Sequence, residues 1–173
     1  MGDNDTTRDL RHRDEPACYM NETRRLYDGL GYPPYRWVDN PEPPALHRLA
    51  KPLSECKVGL IGSGGVYEVG QVAFHHMDDA SFRVIPAAVD VADLRTSHFA
   101  YDLTDARSDP NVVFPVDRLS ELRDEGFIGE LADEFWAFMG GIYSARKVRD
   151  ELAPQLVARA IEDELDVVLL VPV

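Results

Sequence analysis

The sequence predicts an α/β domain whose central sheet is parallel. An apolar run rich in β-branched residues, residues 166–173, is typical of a strand that is buried on both faces, and residues 57–61 are predicted to form the first strand. Helical patterns lie between them, and a strand–helix–strand order produces parallel strands with helices packed on the sheet. The expected architecture is a Rossmann-like three-layer domain. We expect its sheet to be incomplete at the C-terminal end, because no helix follows Val173 to cover the last strand.

Composition limits the partners of the chain. It has 173 residues, 45% of them hydrophobic, and its net charge of −13 repels nucleic acid and anionic membranes. No apolar run reaches the ~18–20 residues of a membrane helix, and the charged N-terminus is not a secretory signal. The two cysteines, Cys18 and Cys56, lack metal-ligand spacing. We therefore expect no metal site and a reducing, cytoplasmic location.

Three segments follow one another along the chain. Residues 1–15 are charged and poor in apolar side chains, which predicts a disordered tail. Residues 16–51 combine a helix with an arm in which aromatic residues alternate with prolines. This arm either packs on the domain surface through its aromatic rings or is a proline-motif ligand for another protein. Residues 52–173 form the α/β domain.

Shorter patterns fill the α/β domain between its two long strands. A brief alternation predicts a strand, and a long polar loop follows it. Pro154 either kinks the last helical stretch or begins a second helix at its first turn. The predicted elements, in order, are a strand at residues 81–86, a loop through residues 97–111, a helix around Leu119 and Leu122 ending at Gly126, a helical turn at residues 127–131, a strand and turn at residues 138–141, and helical structure from Ser144 to Leu165.

Glycines mark the ends of two predicted strands. Gly64 and Gly65 follow the first strand, and Gly140 and Gly141 follow the strand at residue 138. Such turns either let backbone approach a ligand closely or are simple tight turns. A dinucleotide fingerprint would need a third glycine where Tyr67 stands, so the nucleotide-binding pattern is incomplete.

Several short sequence motifs in the α/β domain keep a recognisable order and spacing. They are Gly65-Val66, residues 81–85, Ser97-His98 with Tyr101-Asp102, Asp109 with Asn111, residues 114–119, residues 125–128 and residues 138–141. Through these motifs, residues 52–173 resemble the selenoprotein B family of glycine, sarcosine and betaine reductases, together with the selenoprotein subunit of D-proline reductase. Tyr67 stands where relatives often carry histidine.

The resemblance implies a chemistry and a set of partners. In that family the terminal strand leads into a selenocysteine or cysteine motif, and the low-pKa selenol or thiolate displaces an amine from the substrate's α-carbon. We expect this nucleophile after Val173, so that the chain stops just before the redox motif and is inactive as written. The resemblance further implies a glycine, sarcosine, betaine or proline-like substrate. It also implies a pyruvoyl group on a partner subunit and a thioredoxin-like dithiol donor, and it is compatible with a homo-oligomer.

The same resemblance directs attention to particular side chains. His98 would orient a substrate carboxylate or protonate the leaving amine, and Asp102 would fix the tautomer of its ring. The alternative for both is a structural hydrogen bond. Arg118 would clamp a carboxylate or pair with a neighbouring acid, and Asn111 would line the site or shape a turn. The full set of predicted substrate-binding residues is Gly64, Gly65, Tyr101, Asn111, Arg118, Gly140 and Gly141.

Three functions therefore remain open at the level of sequence. The leading hypothesis is the N-terminal portion of an amino-acid reductase. The second is a non-catalytic α/β module that docks a partner or a separate C-terminal half. The third is a small-molecule-binding Rossmann-like domain of unrelated activity, which the incomplete glycine pattern disfavours.

Overall fold

A computed structural model describes residues 18–34, 38–45 and 47–173 of the chain. The chain divides into two units, residues 1–44 and residues 45–173. The predicted disordered tail and the aromatic residues Tyr35 and Trp37 of the arm lie outside the described residues. The first unit contains the predicted N-terminal helix, α1 (Tyr19–Gly29). Gly31 follows it at φ +73°, where a helix commonly ends.

The second unit is organised around strand β1. Parallel strands pair with both of its edges, β7 along one edge and β5 and then β6 along the other. The fifth strand of the sheet, β3, pairs with the outer edge of β6 and runs antiparallel to it. A separate antiparallel ribbon is formed by β2 and β4. The strands are β1 (Lys57–Gly62), β2 (Val66–Glu68), β3 (Phe82–Pro86), β4 (Leu94–Thr96), β5 (Glu130–Leu131), β6 (Glu134–Phe138) and β7 (Val167–Val171).

Helices connect the strands of the second unit. The short helix α2 and the longer α3 lie between the ribbon and β5, and a nearly continuous helical stretch joins β6 to β7. That stretch contains one π-helical turn, Val148–Leu152, and Pro154 lies in the first turn of the helix that follows. The helices are α2 (Thr104–Ser108), α3 (Val116–Asp124), α4 (Ala145–Lys147) and α5 (Ala153–Glu162).

Alternation along the strands gives the sheet two packed faces. On one face Leu60 and Phe135 pack with apolar side chains of α3 and the ribbon. On the other face Ile61 and Trp136 pack against Leu156 of α5 and its neighbours. Side chains of adjacent strand residues point to opposite faces, so the two clusters lie on opposite sides of the sheet. The predicted α/β fold is confirmed.

Five details differ from the sequence predictions. The predicted loop through residues 97–111 contains helix α2 and a 3-10 turn at Pro110–Val112. The strand predicted from residue 138 instead begins at Glu134 and ends at Phe138. The sheet is mixed, because β3 runs antiparallel to its neighbour. Residues 130–131 form strand β5 where a helical turn was predicted. The terminal strand forms as expected, but among the described residues β7 pairs with β1 alone, and Leu170 is 66% exposed. Its apolar run predicts burial on both faces, but Leu169 and Leu170, whose side chains point to opposite faces, are both exposed.

None of the helices described here is long and apolar enough to cross a membrane.

Candidate functional site at the carboxyl edge of the sheet

The predicted glycine turns meet at the carboxyl edge of the sheet, where β1, β6 and β7 end. Gly65 donates its N–H to the Phe138 carbonyl at 2.9 Å, and Gly140 donates to the Ser63 carbonyl at 2.8 Å. The Val173 N–H reaches the Ser63 hydroxyl at 2.9 Å. Hydrogen bonds thus join the backbone after all three strands. In α/β sheets this edge is the usual position of a ligand site.

Close approach explains why glycine occupies these turns. A Cβ on Gly65 would overlap the Ser97 carbonyl oxygen, and Gly65 also lies at φ +71°, which L side chains rarely adopt. A Cβ on Gly141 would overlap the ring of Phe99. The turns therefore bring backbone into contact with the segment that follows β4.

That segment places an aromatic layer over the edge. Tyr101 donates its hydroxyl to the Gly64 carbonyl at 2.8 Å. The ring of His98 stacks on Phe99 with centroids 5.7 Å apart and meets Tyr101 at 4.8 Å. Phe99 in turn stacks with Tyr143 from the turn after β6. Burial raises the pKa of the Tyr101 phenol, so it stays a neutral donor.

His98 is the main chemical group of this layer. It is 5% exposed, and its Nδ1 accepts the Ala100 N–H at 3.0 Å. The neutral ring must therefore carry its proton on Nε2, which is buried and has no hydrogen-bond partner among the described residues. Burial, and then the charge of nearby His76, lower the pKa of the imidazole. The ring is thus a neutral donor with an unused N–H.

The cysteine of the α/β unit provides no thiol at this edge. Cys56 is fully buried at the opposite, amino end of β1, where its Sγ lies 3.3 Å from the Pro52 carbonyl oxygen. Cys18 belongs to the other unit and is exposed. Within the described ranges, no cluster of histidine, cysteine and carboxylate side chains could hold a metal ion.

Comparison with known proteins identifies the family. The profile of glycine/sarcosine/betaine reductase selenoprotein B matches residues 43–172. The chain belongs to this family. It is 37% identical over 128 residues to the D-proline reductase subunit gamma of Acetoanaerobium sticklandii. The aligned residues cover 74% of this chain and 53% of that protein.

Two further relatives carry a different name. Glycine reductase complex component B subunit gamma of Symbiobacterium thermophilum is 34% identical over 138 residues, covering 75% of this chain and 30% of that protein. The protein of the same name from Peptoclostridium acidaminophilum is 30% identical over 131 residues, or 71% of this chain and 29% of that protein. The chain thus spans about half the length of one relative and under a third of the others. No solved structure matches the chain significantly.

The structure brings together six of the residues predicted from the sequence. Four glycines and two side chains of the aromatic layer meet at the carboxyl edge, and their roles there stay predictions. One further residue, Ser63, joins them and was missed. Its signal was its position directly after a buried strand and inside a glycine turn. The six are Gly64, Gly65, His98, Tyr101, Gly140 and Gly141.

The other three predicted residues make contacts of a different kind. Asp102 accepts hydrogen bonds from the hydroxyl and N–H of Thr104, which lower the pKa of its carboxyl, while Ala100 makes the contact to the His98 ring. Asn111 bridges Asp109 and Asp117 in the turn before α3. Arg118 forms an exposed ion pair with Glu121 at 2.9 Å. These contacts correspond to the structural alternatives for the three side chains.

The close approach at Gly65 predicts a stability effect. Gly65→Ala should destabilise the protein by more than about 2 kcal/mol, because left-handed backbone strain and overlap with the Ser97 carbonyl add together. Gly70→Ala is the matched control, since Gly70 also has positive φ but nothing lies within 4 Å of its added Cβ. Chemical denaturation measures both. Equal losses for the two variants would contradict the tight contact.

Burial of a neutral His98 predicts a pH dependence. Because its pKa in the folded protein is below the ordinary 6.5, the unfolded chain takes up the proton first. The stabilising contribution is therefore complete above pH 6.5 and is lost as the pH falls from 6.5 toward the folded pKa. His98→Asn should lose less stability between pH 7.5 and 5.5 than the wild type does.

Urea denaturation at the two pH values checks this, with His47→Asn, an exposed histidine, as the control. A pH dependence that is unchanged in His98→Asn would show that this ring is not buried in the neutral form.

Proposed function

We propose that this chain lines part of the substrate site in the B-type subunit of an amino-acid reductase. The reaction is the reductive cleavage of a C–N bond in glycine, sarcosine, betaine or a proline-like substrate. Membership of the selenoprotein B family supports the class of reaction, and the names of the relatives support glycine and D-proline as substrates. The observation that carries the proposal for this chain is the buried, unused Nε2–H of His98 above the carboxyl edge.

The role that suits His98 is recognition of the substrate carboxylate. Amino-acid substrates carry a carboxylate, which accepts hydrogen bonds and has no proton to give. A neutral imidazole with its proton fixed on Nε2 is a donor and cannot accept at that atom. Forming this hydrogen bond would also remove the cost of an unpartnered buried N–H. Of the two roles expected for His98, its geometry favours orientation of the carboxylate.

The edge also fits the nucleophile that the family implies. A selenol or thiolate there would displace the amine from the substrate's α-carbon, with a dithiol as the source of two electrons. This chain contributes the surroundings: at this edge Gly64 packs closely against Val113, and Gly140 packs closely against Ser63. The only cysteine of the α/β unit, Cys56, is buried at the far end of β1. We therefore infer that the nucleophile comes from outside the α/β unit.

Partners follow from the same assignment. The relatives are named as subunits of a D-proline reductase and of a glycine reductase complex component. We infer that this chain works with partner subunits, one of which carries the pyruvoyl group, and with a thioredoxin-like dithiol donor in the cytoplasm.

Substrate binding tests the proposal at the level of individual residues. Titration with D-proline, glycine, sarcosine and betaine should shift the amide resonances of Gly65, Ala100 and Gly140 for at least one of them. His98→Asn should weaken that binding by about tenfold, since a hydrogen bond to a charged group is lost. His75→Asn, a histidine outside the aromatic layer, is the control.

The same samples can be assayed with dithiothreitol for C–N cleavage, which releases an amine from glycine, sarcosine or betaine and produces a ring-opened primary amine from D-proline. The 173-residue chain should catalyse no such cleavage, because its α/β unit offers no thiol at the carboxyl edge. Binding that leaves these amides unmoved, or C–N cleavage by the chain alone, would contradict the proposal.

A second candidate, a docking module, is favoured by the uncovered side of β7. A groove of about 360 Å³ runs between β7 and α5, and its lining is almost entirely apolar. Leu170 and Val157 lie in it, and both are more than half exposed. Strand edges and apolar surfaces of this kind commonly bind another polypeptide. The proposed occupant is the portion of the family fold outside the matched region, which makes up about half of the D-proline reductase subunit.

Mixing the chain with that portion of the Acetoanaerobium sticklandii subunit tests the docking module. A complex should form, measured by calorimetry, and Leu170→Lys should weaken it at least tenfold by placing a charge in the groove. Ile161→Lys, on an exposed position of α5 outside the groove, should bind normally. Equal binding by both variants, or none by the wild type, would exclude the groove as the docking site.

A further inference from the structure

Asp78 connects two segments that contact the aromatic layer. One oxygen of its carboxylate, Oδ1, accepts the N–H groups of Tyr143 at 2.7 Å and Ser144 at 3.1 Å, in the turn after β6. The carbonyl oxygen of Asp78 accepts the Nζ of Lys147 at 3.0 Å. We call these three hydrogen bonds the Asp78 clamp. Its partners are 65, 66 and 69 residues away in the sequence, so the clamp joins separate parts of the fold.

The backbone of Asp78 has an uncommon conformation. Its φ is +49°, in the left-handed region, and among the described residues only Glu164 shares a positive φ without being glycine. This region is unfavourable for most L side chains, although aspartate tolerates it better than most. Such a conformation persists where surrounding contacts stabilise it, and such residues are concentrated at functional sites.

Both segments that the clamp joins contact Phe99. The ring of His76, two residues before Asp78, has its centroid 5.9 Å from that of Phe99, and its Nε2 lies 3.2 Å from the Ser97 hydroxyl. The ring of Tyr143 stacks on Phe99 with centroids 6.2 Å apart. The clamp therefore fixes two neighbours of Phe99 relative to each other.

The position of Phe99 affects His98 directly. The two rings stack with centroids 5.7 Å apart, and this contact contributes to the burial of the imidazole. The titratable side chains that the described residues place next to His98 are His76 and Tyr101. A displaced Phe99 ring would admit water beside His98 and weaken the burial that keeps it neutral.

We propose that Asp78 is a positioning residue of the candidate site, because it holds the turn after β6 to the segment around His76 and so keeps Phe99 packed on His98. A carboxylate suits this role. One oxygen accepts two backbone N–H groups at once, and both lie just before the helical stretch that begins at Ala145, where negative charge is favoured. The effect of Asp78 on substrate binding rests on the proposed function, whereas its effect on the aromatic layer does not.

The pKa of His98, followed through its imidazole resonance by NMR, tests the role of Asp78. Asp78→Gly removes the carboxylate and keeps a residue that adopts positive φ readily. In this variant the pKa should rise by about 0.5 toward the ordinary 6.5, because water reaches the ring. Asp78→Asn removes the same charge but keeps an acceptor oxygen, so it should retain the wild-type pKa. Loss of a negative charge alone would lower the pKa of the imidazole, so a rise reports the opening of the layer.

Two further variants complete the comparison. Asp90→Gly is the control, since the Asp90 carboxylate accepts the Ala92 N–H within its own turn, and it should leave the His98 pKa unchanged. Tyr143→Ala removes the exposed ring that the clamp holds against Phe99, and it should also raise the His98 pKa. Because Tyr143 is exposed, this variant tests the clamp even if Asp78→Gly fails to fold.

The same variants are titrated with D-proline, glycine, sarcosine and betaine. A substrate that binds the wild type should bind Asp78→Gly about fivefold more weakly and Asp78→Asn about equally well, because only the second variant keeps the acceptor. Binding of none of the four by the wild type would contradict the proposed function, and the pKa comparison would still decide the role of Asp78. A wild-type His98 pKa in both Asp78→Gly and Tyr143→Ala, or an equal rise in Asp78→Gly and Asp78→Asn, would overturn the positioning role.

Discussion

Strand β1 forms hydrogen bonds along both edges, and the rest of the α/β unit depends on this pairing. Its register with β7 on one side and with β6 on the other makes β1, β6 and β7 end at the same level, whereas β5 pairs with the beginning of β1. The apolar side chains of β1 are divided between the two packed faces. Loss of this strand would remove both the centre of the sheet and the common edge on which the glycine turns meet.

The alignment of these strands also determines the chemical state of the groups at the carboxyl edge. Backbone hydrogen bonds join the turns after β1 and β6, and Gly65 accepts the Ser97 N–H at 2.9 Å. This last contact holds the segment after β4 over the edge. It also removes His98 from water, and burial is what keeps the imidazole neutral. The Ala100 N–H then decides which nitrogen carries the proton. Packing and tautomer together leave a neutral imidazole whose Nε2–H has no partner in the part of the chain that the structure describes.

The sequence predicts more of the fold than of the site, for physical reasons. β1 and β7 are recognisable because continuous β-branched runs have few other stable uses. Residues 130–131 were mistaken for a helical turn because a two-residue strand carries almost no periodicity. Exposure of β7 depends on which chain covers its far edge, and that is a tertiary property.

Some of the site residues could likewise be predicted from the sequence, and others could not. Glycine turns after strands are visible in the sequence, so Gly64 and Gly140 could be proposed before their close approach was known. Whether a polar side chain bonds locally is much harder to foresee. Asp102 bonds Thr104, only two residues away, because a short carboxylate readily reaches nearby N–H groups.

A crystal structure of the chain with bound D-proline or glycine would test the central claim most directly. The account predicts electron density at the carboxyl edge, with a carboxylate oxygen within hydrogen-bond distance of His98 Nε2 and the α-carbon beside the Gly64 and Gly140 turns. A substrate bound elsewhere, with His98 Nε2 still unpartnered, would contradict it.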